Sequence, residues 1–184
     1  MRHFDVQLIG GISFTEQDIK LSRGVDVLVA TPGRLLDHIE RGKVLIKDVK
    51  LVEINLLSPH EKVIEKKKSS LAKFIKSYEN YYIISSIVCC HKSMLIIDGH
   101  HRFFALKELG FKKVPVTLID YSHKSIRTGK LNPIDKDYIV NVGLSKELME
   151  PKSTEHAIYC YKTKQWQPII LLSSMFKIET ADIL

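Results

Sequence analysis

At 184 residues, 45% hydrophobic and 27% charged, the chain has the size of one ordinary domain, or of one domain plus an appendage, and a globular composition that excludes wholesale disorder. No apolar run reaches the roughly 18 residues that span a bilayer, and the opening MRHFDVQLIGG has no apolar signal core, so a cytoplasmic protein is expected. The net charge of +7 favours anionic partners without choosing between nucleotides, nucleic acid and acidic surfaces.

Taken in chain order, Thr15 is a candidate N-cap for a first helix. Residues 24–30, GVDVLVA, form a short apolar, β-branched run suited to a buried strand. Thr31-Pro32-Gly33-Arg34 ends it, and residues 35–41 read as a helix stopped by Gly42. A strand, loop and helix of this size cannot bury a core alone. Residues 51–57 read as a strand, Ser58-Pro59-His60 as a turn, and 61–79 as a helix with Val63, Leu71, Phe74, Ile75 and Tyr78 near helical spacing. Lys66-Lys67-Lys68 on that helix reads as a solvated face. Two strands follow at 82–90 and 94–97, joined by His91-Lys92-Ser93. Cys89 and Cys90 close the first of them as small strand residues, and neither they nor Cys160 show disulfide or zinc spacing. A helix over 100–109 is stopped by Gly110, a strand spans 114–120, and a helix spans 136–148. Strand-like runs at 156–161 and 169–172 complete the chain's apolar segments. The strands at 51–57, 82–90, 94–97 and 114–120, separated by only two clear helices, predict an α+β mixed sheet with flanking helices over residues 50–184.

Chemistry concentrates at residues 96–110, IIDGHHRFFALKELG, where a strand runs through Asp98-Gly99 into a helix. A helix N-terminus presents unpaired N–H groups and favours anions. Gly99 lets a ligand approach the backbone, and Arg102 can make paired charge-assisted bonds to phosphate. Asp98 can accept from a substrate hydroxyl or help to hold magnesium; it would equally serve as a plain N-cap. One of His100 and His101 can be a packed side chain, and Phe103, Phe104, Leu106 and Leu109 read as core.

Two resemblances rest on these residues. Gly10-Gly11 with SRGVDVLVATPGRLLDHIERGK, over about residues 5–50, resembles part of the first motor domain of DEAD-box RNA helicases. In that family such segments contact the RNA backbone, here through Thr31, Gly33 and Arg34. No G-x-x-x-x-G-K-[ST] loop and no Asp-Glu pair occurs in the chain, which excludes a helicase motor. Residues 1–49 are therefore expected to be an incomplete helicase-like fragment, dispensable for nucleotide chemistry.

IIDGHHRFFALKELGFKKVPVTLIDY is similar to the ParB/sulfiredoxin-like superfamily, and within it to the free L-serine kinases. LLSPHE at 56–61, DGHHR at 98–102 and PKSTEH at 151–156 match that group in order. The resemblance implies transfer of a phosphate from ATP or ADP, with magnesium, to the hydroxyl of free L-serine. Glu61 would take the hydroxyl proton. Asp98, Gly99, His100, His101 and Arg102 would handle phosphate and the water around magnesium. Lys152, Ser153, Thr154 and His156 would bind the amino acid or its product. The alternatives are a ParB-like nucleotide- or DNA-binding module without serine kinase activity, and an inactive fusion product. If Glu61 and Asp98 each begin a helix after parallel strands, both face one pocket with His101 and Arg102 between them.

Overall fold

A computed structural model gives the architecture and describes residues 5–8, 27–30, 46–77, 81–129, 132–160 and 164–179. Near the N-terminus, β1 (Asp5–Leu8) pairs in parallel with β2 (Val27–Ala30), and β2 falls inside the strand expected at 24–30. The helix expected after Thr15, the loop at Thr31-Pro32-Gly33-Arg34 and the helix expected over 35–41 lie outside the described residues.

β3 (Ile46–Glu53) starts before the expected domain boundary at 49/50 and runs into a 3-10 turn over Ile54–Leu56. Then come α1 (Glu65–Lys76), β4 (Tyr81–Ser85), β5 (Ile87–Cys90), β6 (Ile96–Asp98), α2 (His100–Glu108) and β7 (Lys113–Ile119). After β8 (Ile126–Arg127), α3 (Lys136–Ser145), β9 (Ala157–Cys160) and β10 (Gln165–Pro168), a 3-10 turn over Ile169–Leu172 leads to β11 (Met175–Glu179).

The central sheet has the order β3-β7-β5-β6, with β5 and β7 parallel and the outer pairs antiparallel. This is the mixed sheet expected of an α+β fold. All four residues of β5 are buried, and their alternation divides the core in two. Ile87 and Cys89 face one cluster with Ile75, Phe103, Leu106 and Val116, under α1 and α2. Val88 and Cys90 face the other with Leu95, Ile119, Ile139, Ile158 and Leu172, under α3 and the sheet β10-β9-β8. Cover on both faces explains why β5 reads as an unbroken apolar run. Phe103 and Leu106 are buried, with Phe104 and Leu109 packed against them, as core residues should be.

Several expectations are corrected, among them the strand-like run at 169–172 and the end of the strand at 51–57, both of which are 3-10 turns. The strand expected over 82–90 is two strands, because Ser86 breaks it. Its hydroxyl meets Thr117 at 2.7 Å and accepts from the Ser174 N–H at 2.8 Å, and the chain changes sheets there. β4 pairs instead with β11, a strand the sequence reading did not assign. A continuous apolar run carries no periodicity to mark such a switch. The helix expected from residue 61 begins only at Glu65; Glu61 forms an isolated bridge with Met149, and Ile64 is extended. The backbone there is held by a pair of bonds, Lys62 N–H to Met149 C=O at 2.9 Å and Met149 N–H to His60 C=O at 2.8 Å. Finally, Lys68 is no freely solvated cation. Its ammonium meets Glu65 at 2.6 Å and Glu108 at 2.8 Å, tying α1 to α2 and removing one charge from the basic run.

Candidate active site

Two chain segments come side by side to make the site. The stretch ending in Ser58-Pro59-His60-Glu61 runs parallel to the start of β6, with Ser58 N–H donating to Met94 C=O at 3.1 Å and Ile96 N–H to Ser58 C=O at 2.9 Å. Behind it, α3 approaches through Gly143, where an added Cβ would lie 2.0 Å from Leu95 Cδ1 and 3.5 Å from His60 Cβ. Only a residue without a side chain allows this contact.

β6 delivers Asp98, and Gly99 turns the chain into α2 in the left-handed region, at φ 102°. Gly99 is the N-cap and no side chain caps the helix, so Asp98 is not the plain N-cap that its position allowed. Its Oδ2 instead accepts from Arg102 Nη2 one turn later, at 2.6 Å. Arg102 also donates to the Ser85 hydroxyl. The guanidinium lies so close over Gly99 that a Cβ there would sit 3.0 Å from Nη2. Glycine is thus needed twice, for backbone conformation and for this contact. Burial raises the Asp98 pKa above the usual carboxylate range, Arg102 opposes it, and the nearby Glu61 charge raises it further.

The two histidines of DGHHR act on the other segment. His100 Nε2 accepts from the His60 N–H at 3.4 Å, and His101 Nε2 accepts from the Ile64 N–H at 3.1 Å. They therefore hold the backbone on either side of Glu61. Neither is a packed side chain without a polar contact.

Glu61 is 8% exposed, and its carboxylate is wrapped by the loop at 152–154. Oε2 accepts from the Lys152 N–H at 3.1 Å; Oε1 accepts from the Thr154 N–H at 2.8 Å, from the Thr154 hydroxyl, and distantly from the Ser153 hydroxyl at 3.5 Å. Lys152 and Glu155 adopt positive φ, 62° and 33°, to bend the loop around the carboxylate. Lys152 contributes its backbone, while its side chain stays exposed. His156 has both ring nitrogens engaged, Nδ1 with Thr154 Oγ1 at 3.4 Å and Nε2 with the Tyr121 hydroxyl at 2.8 Å.

Two participants were not singled out from the sequence. His60, fully buried, sets Nε2 3.1 Å from Thr154 Oγ1 and stands edge-on to His100 with centroids 4.6 Å apart. Its only local sign was its place beside Glu61. Tyr121 had no sign at all. Among the described residues, no group of three or more His, Cys, Asp or Glu side chains is placed to hold a metal.

Burial favours the neutral form of three of these imidazoles, His60, His100 and His156. Burial lowers the pKa of His60 against the pull of Glu61, and lowers that of His100 well below its ordinary value, with His60 and His156 adding to the effect. His156 is pushed down from 6.5 to about 3 by burial and then by His60 and Lys136. Below about pH 6.5 the unfolded chain binds protons that these folded rings refuse. Their contribution to stability is complete above that pH and is lost as the pH falls toward the folded values. Tm should therefore drop between about pH 7 and pH 5, a window in which ordinary carboxylates titrate little. His156→Asn should flatten that slope, as thermal unfolding monitored across the window would show.

No protein-family model matches the chain. Its fold is that of a free serine kinase: the solved structure of a free serine kinase in complex with AMP superposes with a TM-score of 0.57 at 13% identity, covering 74% of this chain and 94% of that one. In sequence, the chain is similar to the ATP-dependent L-serine kinase of Staphylothermus marinus, 32% identical over 100 residues, or 52% of this chain and 39% of the kinase. The chain spans less than half the length of the curated serine kinases it matches. A separate likeness, 46% over 48 residues, is to the ATP-dependent RNA helicase HAS1 of Chaetomium globosum, and covers 26% of this chain and 8% of the helicase. No helix among the described residues is long and apolar enough to cross a membrane.

Proposed function

We propose that this chain is a kinase of free L-serine that takes its phosphate from ATP or ADP. The observation that carries the reading is the holding of Glu61. The DGHHR histidines grip its segment, the 152–154 loop grips its carboxylate, and the Asp98–Arg102 pair lies within its electrostatic reach. The likeness to named L-serine kinases supports it.

In this reading the nucleotide phosphates lie over Gly99 and the uncapped start of α2, with Arg102 donating to them. The serine hydroxyl oxygen forms a bond to the terminal phosphorus, the bridging P–O bond breaks, and the nucleotide leaves one phosphate shorter. Glu61 receives the hydroxyl proton. Thr154 and His156 are already turned inward, so the Lys152 ammonium and the Ser153 hydroxyl are the loop groups left to meet the amino acid. The donor set fits magnesium carried by the nucleotide rather than a protein cage: Arg102 engages only one oxygen of Asp98, and the other would reach the ion through water. When bound, the ion neutralises charge on the transferring phosphate.

Transfer of labelled phosphate from ATP and from ADP to a panel of free amino acids tests this. L-serine should accept label, and the other amino acids should not. A chain beginning at Ile46, where β3 starts, should match the full chain, since residues 1–45 carry none of these groups. Absence of label on every amino acid would overturn the reading.

A further inference from the structure

A hydrogen-bonded chain runs from Glu61 into the interior, and its hydrogens can be assigned by elimination. An ionised carboxylate has no hydrogen to give, so the Thr154 hydroxyl donates to Glu61 Oε1. That spends its one hydrogen. Thr154 Oγ1 can then only accept from the two imidazoles against it, His60 Nε2 at 3.1 Å and His156 Nδ1 at 3.4 Å. A neutral His156 carries a single ring hydrogen, here on Nδ1, which leaves Nε2 bare to accept from the Tyr121 hydroxyl at 2.8 Å. Tyr121 is 2% exposed, and burial raises its pKa, so the phenol keeps its hydrogen.

Every donor in the chain points toward Glu61, and they load its two oxygens unequally. Oε1 takes the Thr154 N–H and the Thr154 hydroxyl, its full complement of strong donors. Oε2 takes one bond, from the Lys152 N–H at 3.1 Å. We infer that Tyr121, His156 and Thr154 form a one-way donor chain that fixes the Glu61 carboxylate and leaves Oε2 as the oxygen able to accept the substrate's proton. Tyr121 and His156 are positioning residues in this assignment, acting through Thr154. The assignment of a task to Oε2 rests on the serine kinase reading; the direction of the chain does not.

Nitrogen-15 spectra of the full-length protein with labelled histidine read the direction without any substrate. His156 should show a protonated Nδ1 and a bare Nε2 near neutral pH, a preference that Tyr121→Phe should weaken without reversing, since Thr154 Oγ1 can still only accept. In turnover assays Tyr121→Phe should lower kcat about 5- to 30-fold and leave the nucleotide KM within about 2-fold, the mark of an effect confined to the reacting oxygen. Thr154→Val should speed hydrogen exchange of the Lys152 and Thr154 amides and depress kcat, while Thr154→Ser, which keeps the hydroxyl, restores both. His156 in the opposite tautomer would overturn the chain even in a protein that phosphorylates serine. A wild-type protein with the assigned tautomer and no transfer to serine would leave the chain standing and overturn the kinase reading.

Discussion

Replacing Glu61 with glutamine should cut phosphate transfer at least about 10²-fold and leave nucleotide affinity nearly unchanged. Glutamine keeps the length and planarity of the side chain. Its carbonyl oxygen can still accept from the Thr154 N–H and hydroxyl, so the grip of the 152–154 loop survives on that side. The amide cannot take a proton from an alcohol, and its NH2 would face the Lys152 N–H, one donor against another. The fold should persist with a modest loss of Tm, because β5, β7 and their two core clusters are untouched. Steady-state rates, with nucleotide binding followed separately, would check it. Turnover at the wild-type rate would remove Glu61 from the chemistry.

Asp98→Asn should weaken nucleotide binding about 10-fold or more. The carboxylate does two things at once: it holds Arg102 at 2.6 Å over Gly99, and it carries the charge that would meet a nucleotide-borne cation. With side chains only 31% and 12% exposed, the pair is shielded enough to exceed an ordinary surface ion pair. Loss of a charge-assisted hydrogen bond in such a place is worth about 1.5–3 kcal/mol, or roughly 10- to 100-fold in affinity if Arg102 meets the nucleotide phosphates as proposed and is displaced. Gly99→Ala should give the same phenotype by another route, since its Cβ would press on the same guanidinium from a strained backbone. Nucleotide titrations with and without magnesium measure both. Wild-type affinity in Asp98→Asn would show that the pair serves the fold alone.

The parts of this site that were readable in advance are those in which cause and effect lie within one turn or one strand. Asp98-Gly99 ending a strand, the helix that follows and the Asp98–Arg102 spacing are local, and β7 lies within one residue of its expected span. Glu61 was singled out through its resemblance to a family motif, and its expected helical setting is wrong. Nothing in S-P-H-E-K-V-I shows that Met149, far along the chain, would bond the backbone on both sides of Glu61 and keep it out of a helix.

Local chemistry alone therefore determined the strand–glycine–helix unit and the presence of a carboxylate and an arginine suited to phosphate work. Tertiary structure decided which groups meet: His100 with the His60 backbone across 40 residues, Thr154 with Glu61 across 93, and His156 with Tyr121 across 35. It also decided that Ser86 would divide one apolar run between two sheets, and that β11 would cover β4. The physical reason is common to all of them. Periodicity and turn preference depend on neighbours in sequence, whereas a hydrogen-bond partner is chosen by which segments the sheet order brings together, and burial then makes each such pairing obligatory.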